Sequence, residues 1–120
     1  MAKTLVHVTC GPENPTKAAL AFLVARTALA EGHEVNMFLA GDAVQLLRDP
    51  VLDSVIGIGT GALREHFDAI CAADGKFYLS GGSCQSRGVG AEDLQDKPTE
   101  MGNPSVLIGL ALNADTTFTY

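Results

Sequence analysis

The sequence predicts an α/β domain, a Rossmann-like three-layer sandwich built on a mostly parallel sheet of about five strands. Three observations point there. Short β-branched or aromatic runs alternate with Ala/Leu-rich stretches along the chain. Glycine, proline and Asn/Asp residues stand at most of the junctions. The chain is 47% hydrophobic and 18% charged, which supplies enough apolar surface to bury a sheet and argues against disorder. At 120 residues, positions 1–120 are expected to form one domain.

The elements follow in order. Thr4 to Thr9 reads as a strand, ended by Cys10-Gly11-Pro12. Pro15-Thr16-Lys17 opens a helix that runs to Glu31 and stops at Gly32, with proline inside the start and glycine past the end. Between Lys17 and Arg26 this helix is apolar on almost every face, so it is expected to be covered on two sides. Glu34 to Ala40 is a second strand. Gly41-Asp42 then opens a short helix through Leu47, which Asp49-Pro50 is expected to terminate. Ser54 to Ile58 reads as a short strand or extended loop. A helix from Ala62 to about Asp74 aligns Leu63, Phe67, Ile70 and Cys71 on one face and leaves His66 on the wet one. Lys76 to Ser80 is a strand that runs into Gly81-Gly82-Ser83-Cys84, read as a loop. Glu92 to Glu100 is expected to be a short helix and a solvated connection. Asn103-Pro104 fits an N-cap and first-turn proline for a helix through Ala111, and Thr116 to Tyr120 closes the chain as a strand.

Composition excludes several functions. A net charge of −6 and the absence of tryptophan leave neither the positive field nor the stacking surface that nucleic-acid binding needs. The apolar stretches Ala18 to Ala25 and Val106 to Leu112 are far short of the roughly 20 residues of a membrane span. The short apolar run after Lys3 is no secretory signal, so a cytoplasmic location is expected. The apolar surplus is then expected to be covered by self-assembly. Three widely spaced cysteines make neither a disulfide framework nor a C-x-x-C zinc or redox motif, and no metal or cofactor is expected.

In a parallel α/β sheet, ligands bind beyond the carboxyl ends of the strands. Cys10-Gly11, Gly41-Asp42 and the segment Gly81-Gly82-Ser83-Cys84-Gln85-Ser86-Arg87-Gly88 all fall there. Cys84 is the leading candidate. Loop amides around it and the charge of Arg87 are expected to lower its thiol pKa and favour the thiolate, unless Arg87 instead pairs with Glu92 or Asp93. If the first strand and the one ending at Ser80 are neighbours, Cys10 reaches the same crevice as a second thiol; its other reading is a small core residue. Cys71 and His7 read as core residues, and no Cys-His dyad is placed by His33 or His66. Gly57-Ile58-Gly59-Thr60-Gly61-Ala62 satisfies a dinucleotide-type G-x-G-x-x-A. The acidic residue that should follow about twenty positions on is replaced by Ser80 to Ser83, so the glycines read as tight turns.

Thr9-Cys10-Gly11-Pro12-Glu13-Asn14-Pro15, Gly32-His33-Glu34-Val35, Leu39-Ala40-Gly41-Asp42-Ala43-Val44, Ser80-Gly81 through Arg87-Gly88-Val89, and the ending Asn113 to Tyr120 together resemble the DsrE/DsrF-like family. The resemblance spans nearly the whole chain. It implies a compact α/β domain that assembles into homotrimers or homohexamers and relays sulfur as a cysteine persulfide between protein partners; other members carry a peroxiredoxin-like label. Cys84 would then be nucleophile or carrier, with Arg87 and the Gly81, Gly82 and Ser83 amides as anion stabilisers and Cys10, Gly11, Ser80 and Gly88 lining the site. Aligned on Arg87-Gly88, the positions where many relatives carry cysteine fall on Ser80 and Ser83, with Cys84 displaced by one. Serine cannot carry a persulfide, so the alternative is a non-catalytic oligomeric module that binds a small anion or nucleotide through Ser80, Ser83 and Arg87.

Overall fold

The computed structural model describes residues 1–120. Five parallel strands form one sheet in the order β6-β5-β2-β1-β7: β1 (Lys3–Val8), β2 (Glu34–Leu39), β5 (Lys76–Ser80), β6 (Thr99–Gly102) and β7 (Thr116–Thr119). A small antiparallel hairpin of β3 (Ile56–Gly57) and β4 (Gly61–Ala62) stands apart. One face of the sheet is covered by α1 (Pro15–Ala30) and α3 (Leu63–Ala72). The core lies between them. Val6, Val8, Met37, Leu39, Phe77 and Leu79 alternate inward along the strands, and Phe77 stands between Phe22 of α1 and Phe67 of α3, with ring centroids 5.7 and 5.3 Å away. On the other face, Phe38 packs beneath Gly102 and Val106 of α6 (Pro104–Asn113).

Helices α1 and α6 start at the prolines the sequence reads, and α6 at the cap it reads. The Asn14 carboxamide accepts from Lys17 N at 3.2 Å and Asn103 accepts from Val106 N at 2.9 Å, each ahead of a first-turn proline. Helix α1 buries Ala18, Ala19, Ala21, Phe22 and Ala25, while Leu23, Val24 and Ala28 line an open groove of about 470 Å³ beside β7. Helix α6 buries no residue at all, and Ile108 and Leu112 are 59% and 81% exposed. No helix is long and apolar enough to cross a membrane.

Four expectations are corrected. Pro50 does not end a helix: Gly41–Leu47 is a 3-10 helix, and Asp49-Pro50 starts α2 (Asp49–Leu52), where proline fits the first turn. The acidic connection contains α5 (Ala91–Leu94) and then the edge strand β6, which pairs with β5 from Phe77↔Thr99 to Ser80↔Gly102. Segment 81–87 is a helix, α4 (Gly81–Arg87), rather than a loop. His66 is buried, because the hairpin folds across the flank of α3 that periodicity leaves wet. Its Nε2 lies 2.7 Å from the Thr60 carbonyl, which can only accept; that fixes the proton there and lets Nδ1 accept from Arg26, 3.3 Å away. The Gly57–Gly61 segment is the turn of that hairpin.

Candidate functional site

Strands β1, β2 and β5 deliver their carboxyl ends to one edge. There α4 starts directly from Ser80, whose hydroxyl caps it by accepting from Ser83 N at 3.3 Å. Ser83 Oγ lies 3.1 Å from Ser80 Oγ and accepts from Gly41 N at 2.9 Å, so the two serines tie α4 to the turn after β2. Arg87 completes the link. Its Nε donates to Asp42 Oδ1 at 3.0 Å and its Nη1 to Ser83 O at 3.3 Å, so its partner is Asp42 rather than Glu92 or Asp93. Gly88, at φ 66°, ends the helix in the left-handed conformation that lets Val89 N reach Cys84 O at 3.0 Å.

Cys84 points into the core rather than into a crevice. It is 3% exposed and packs within the same apolar cluster as Val89 and Leu94. Burial pushes its thiol pKa up; the nearby charges of Arg48 and then Arg87 act in the opposite direction, and Asp93 adds to the rise. The expected lowering of the thiol pKa is therefore reversed, because the helix places Sγ inside, where desolvation outweighs two partly exposed guanidinium groups.

Cys10 belongs to a different part of the edge. β2 lies between β1 and β5, so the two thiol-bearing strand ends are not neighbours and the condition for a shared crevice is not met. Cys10 is half-buried, with its pKa raised by burial and by Glu13. Gly11 N donates to both Glu13 carboxylate oxygens at 2.7 and 2.8 Å. A Cβ on Gly11 would come within 2.3 Å of Asp42 O, so glycine is required where these two turns touch. The depression above them, about 290 Å³, is walled by Pro12, Glu13, Asp42, Gln45 and Val51. Two carboxylates line it and no cation does.

Arg48 is the residue sequence reasoning missed. Its Nη2 donates to Arg87 O, the last carbonyl of α4, at 2.7 Å, its Nη1 lies 3.7 Å from Asp93 Oδ2, and its Nε is buried without a partner. The available signal was position: an arginine closing the segment after β2 belongs to the same sheet edge as Gly41-Asp42. Cys71 lies elsewhere, half-buried on α3 beside Lys76 and Lys97, with its pKa raised by burial first and Asp68 second. His7 Nε2 is buried and unpartnered, and burial lowers its pKa. No three His, Cys, Asp or Glu side chains group as a metal site.

Compared with known proteins, residues 2–120 match the profile of the DsrE/DsrF-like family. The fold is similar to the crystal structure of YchN from E. coli, with a TM-score of 0.78, 18% identity and 100% of each chain covered. It is also similar to the conserved protein of unknown function BT1422 from Bacteroides thetaiotaomicron, with a TM-score of 0.66 and 12% identity over 97% of this chain and 94% of that one. At these identities the likeness is one of fold. No curated protein matches the chain.

Proposed function

The chain belongs to the DsrE/DsrF-like family, and from that premise we propose that it relays sulfur through a thiol, with Cys84 as the carrier. The observation that carries this reading is the position of Cys84 in α4 at the carboxyl edge of the sheet with Arg48 and Arg87 beside it; burial holds the thiol pKa up, and these two charges act against it. The step is an exchange. The Cys84 thiolate attacks the outer sulfur of a donor persulfide, a new S–S bond forms on Cys84, and the donor leaves as its thiolate. Atoms and charge balance, and no oxidant is consumed. Arg87 and Arg48 stabilise the anion on either side of transfer. Cys10, one strand further away, is a second thiol only for a sulfur brought across β2.

The test is direct. The protein is incubated with a small-molecule persulfide, and the Cys84 peptide is examined by mass spectrometry for one added sulfur atom, with Cys84→Ala as control. A parent protein that gains sulfur only on Cys10 or Cys71, or not at all, refutes the assignment.

A second reading is favoured by one observation: the Cys84 thiol is buried, whereas Ser80, Ser83 and Arg87 beside it are only partly buried at the carboxyl edge of the sheet. Under this reading the chain is a non-catalytic module binding a small anion or nucleotide near Ser80, Ser83 and Arg87. Binding of such ligands to Cys84→Ala, followed by thermal shift, supports it. Either way the uncovered apolar helix α6 supports self-assembly, which sedimentation of the full chain measures.

A further inference from the structure

Helix α4 is held by an unusual set of contacts. It has seven residues, and the one side chain it buries is Cys84. Its other attachments are polar, and each runs to the segment that follows β2. Ser83 Oγ accepts from Gly41 N at 2.9 Å, Arg87 pairs with Asp42 at 3.0 Å through side chains 28% and 59% exposed, and Arg48 donates to Arg87 O at 2.7 Å. A cap by Ser80 adds only a local bond. The closed position also keeps Arg48 Nε dry and unbonded, a group that regains water when the contact opens.

Both ends of α4 are glycine. Gly81-Gly82 precede its body, and Gly88 and Gly90 follow it; a Cβ at Gly82, Gly88 or Gly90 would meet nothing within 4 Å. Gly81 stands in ordinary contact range of Gly102 O, and Val89, between the rear glycines, stays anchored in the core, so the freedom lies at Gly82 and Gly88. A short element with one small apolar anchor, surface tethers and free hinges belongs to the low-stability end of a fold, where local opening precedes global unfolding.

We propose that α4 is a gate over its own cysteine: it opens as a unit about Gly81-Gly82 and Gly88, breaking the Val89 N–Cys84 O bond while Val89 stays in the core, when the Asp42 and Arg48 tethers release, exposing Cys84 while the sheet stays folded. As regulation of sulfur transfer this rests on Cys84 being the carrier; as a motion it does not. The gate separates storage from exchange. Closed, the sulfur is sheltered from solvent thiols; open, it meets a partner.

The experiment labels the full-length native protein with N-ethylmaleimide and reads Cys10, Cys71 and Cys84 separately by mass spectrometry, at low and at molar salt, for the parent, Asp42→Asn and Arg48→Met. Cys84 is expected to label slowly in the parent, a few-fold faster at high salt or in Asp42→Asn, and roughly tenfold faster in Arg48→Met, where a charge-assisted bond to a carbonyl is lost. Cys10 and Cys71 are expected to change little. Removing Arg48 also removes positive charge and so reduces the thiolate fraction; a faster rate therefore reports opening and not ionisation. If Arg48→Met does not fold, Asp42→Asn and the salt series on the parent carry the test. Cys84 labelling that ignores salt and both substitutions, or that rises only in step with global unfolding, overturns the gate. Opening without sulfur uptake leaves the gate standing and removes the relay; sulfur uptake on Cys84 without opening does the reverse.

Discussion

Replacing Gly11 by alanine puts a methyl group 2.3 Å from Asp42 O and 2.8 Å from Asp42 C, both backbone atoms with no side-chain freedom to yield. To reach ordinary contact the turn after β1 and the turn after β2 must part by about 1 Å. Overpacking of this kind costs ~1–3 kcal/mol. Asp42 carries the partner of Arg87, so the displacement also weakens an exposed ion pair worth ~0–1 kcal/mol. A net loss of about 2 kcal/mol, divided by a urea slope of ~1–3 kcal/mol/M, moves the unfolding midpoint down by about 1 M. Gly82→Ala is the matched control. It adds the same methyl group to α4 where nothing lies within 4 Å, and is expected to raise stability by ~0.5–1 kcal/mol through the unfolded chain and helix propensity. Urea unfolding of both variants at one protein concentration, followed by far-UV circular dichroism, reads the pair. If Gly11→Ala unfolds within ~0.3 kcal/mol of the parent, the two turns do not touch as described and the link from β1 to Arg87 fails.

Three further outcomes are expected. Phe77→Ala removes a fully buried ring that contacts Phe22 and Phe67, and should cost ~3–5 kcal/mol by urea unfolding; a loss below ~2 would contradict its place at the centre of the core. Asn103→Ala should cost ~1 kcal/mol through the lost cap on Val106 N, with Asn103→Ser recovering most of it. Stability should fall at both pH extremes. Burial raises the thiol pKa of Cys10, Cys71 and Cys84, so the unfolded chain loses these protons first and stability declines as pH rises above about 8.5. Burial lowers the pKa of His7, so the unfolded chain gains that proton first and stability declines as pH falls below about 6.5. A Cys84→Ala protein with an unchanged alkaline slope would remove Cys84 from this balance.

Much of the architecture was legible because local signals agreed with the tertiary result. Pro15 and Asn103-Pro104 carry their helix starts in the chain itself, and the β-branched runs at Thr4 and Thr116 are strands in the structure. The failures share a cause. Gly81-Gly82-Ser83 has loop composition, yet Ser80 as cap, Arg48 on the far carbonyl and Cys84 in the core make it helical, so tertiary contacts override propensity. Thr99 to Gly102 lacks strand alternation because an edge position asks little of its side chains; pairing with β5 alone defines it. Of the candidate site, the sheet edge was readable, whereas the partner of Arg87, Asp42, was not. The inward turn of Cys84, the separation of β1 from β5 and the role of Arg48 depend on strand order and on contacts spanning 39 residues, which no local pattern encodes.

The pairing of β7 with β1 has a kinetic side. Lys3 N donates to Asp115 Oδ2 across 112 positions of sequence, and Thr9 N and Tyr120 N exchange bonds with Tyr120 O and His7 O. Strand β1, though second from the edge of the finished sheet, has only β2 beside it until the chain as far as Tyr120 has been made. The open edge of β1 therefore persists until residues 116–120 are available, and closing it is a late folding step, slow as long-range parallel pairings are.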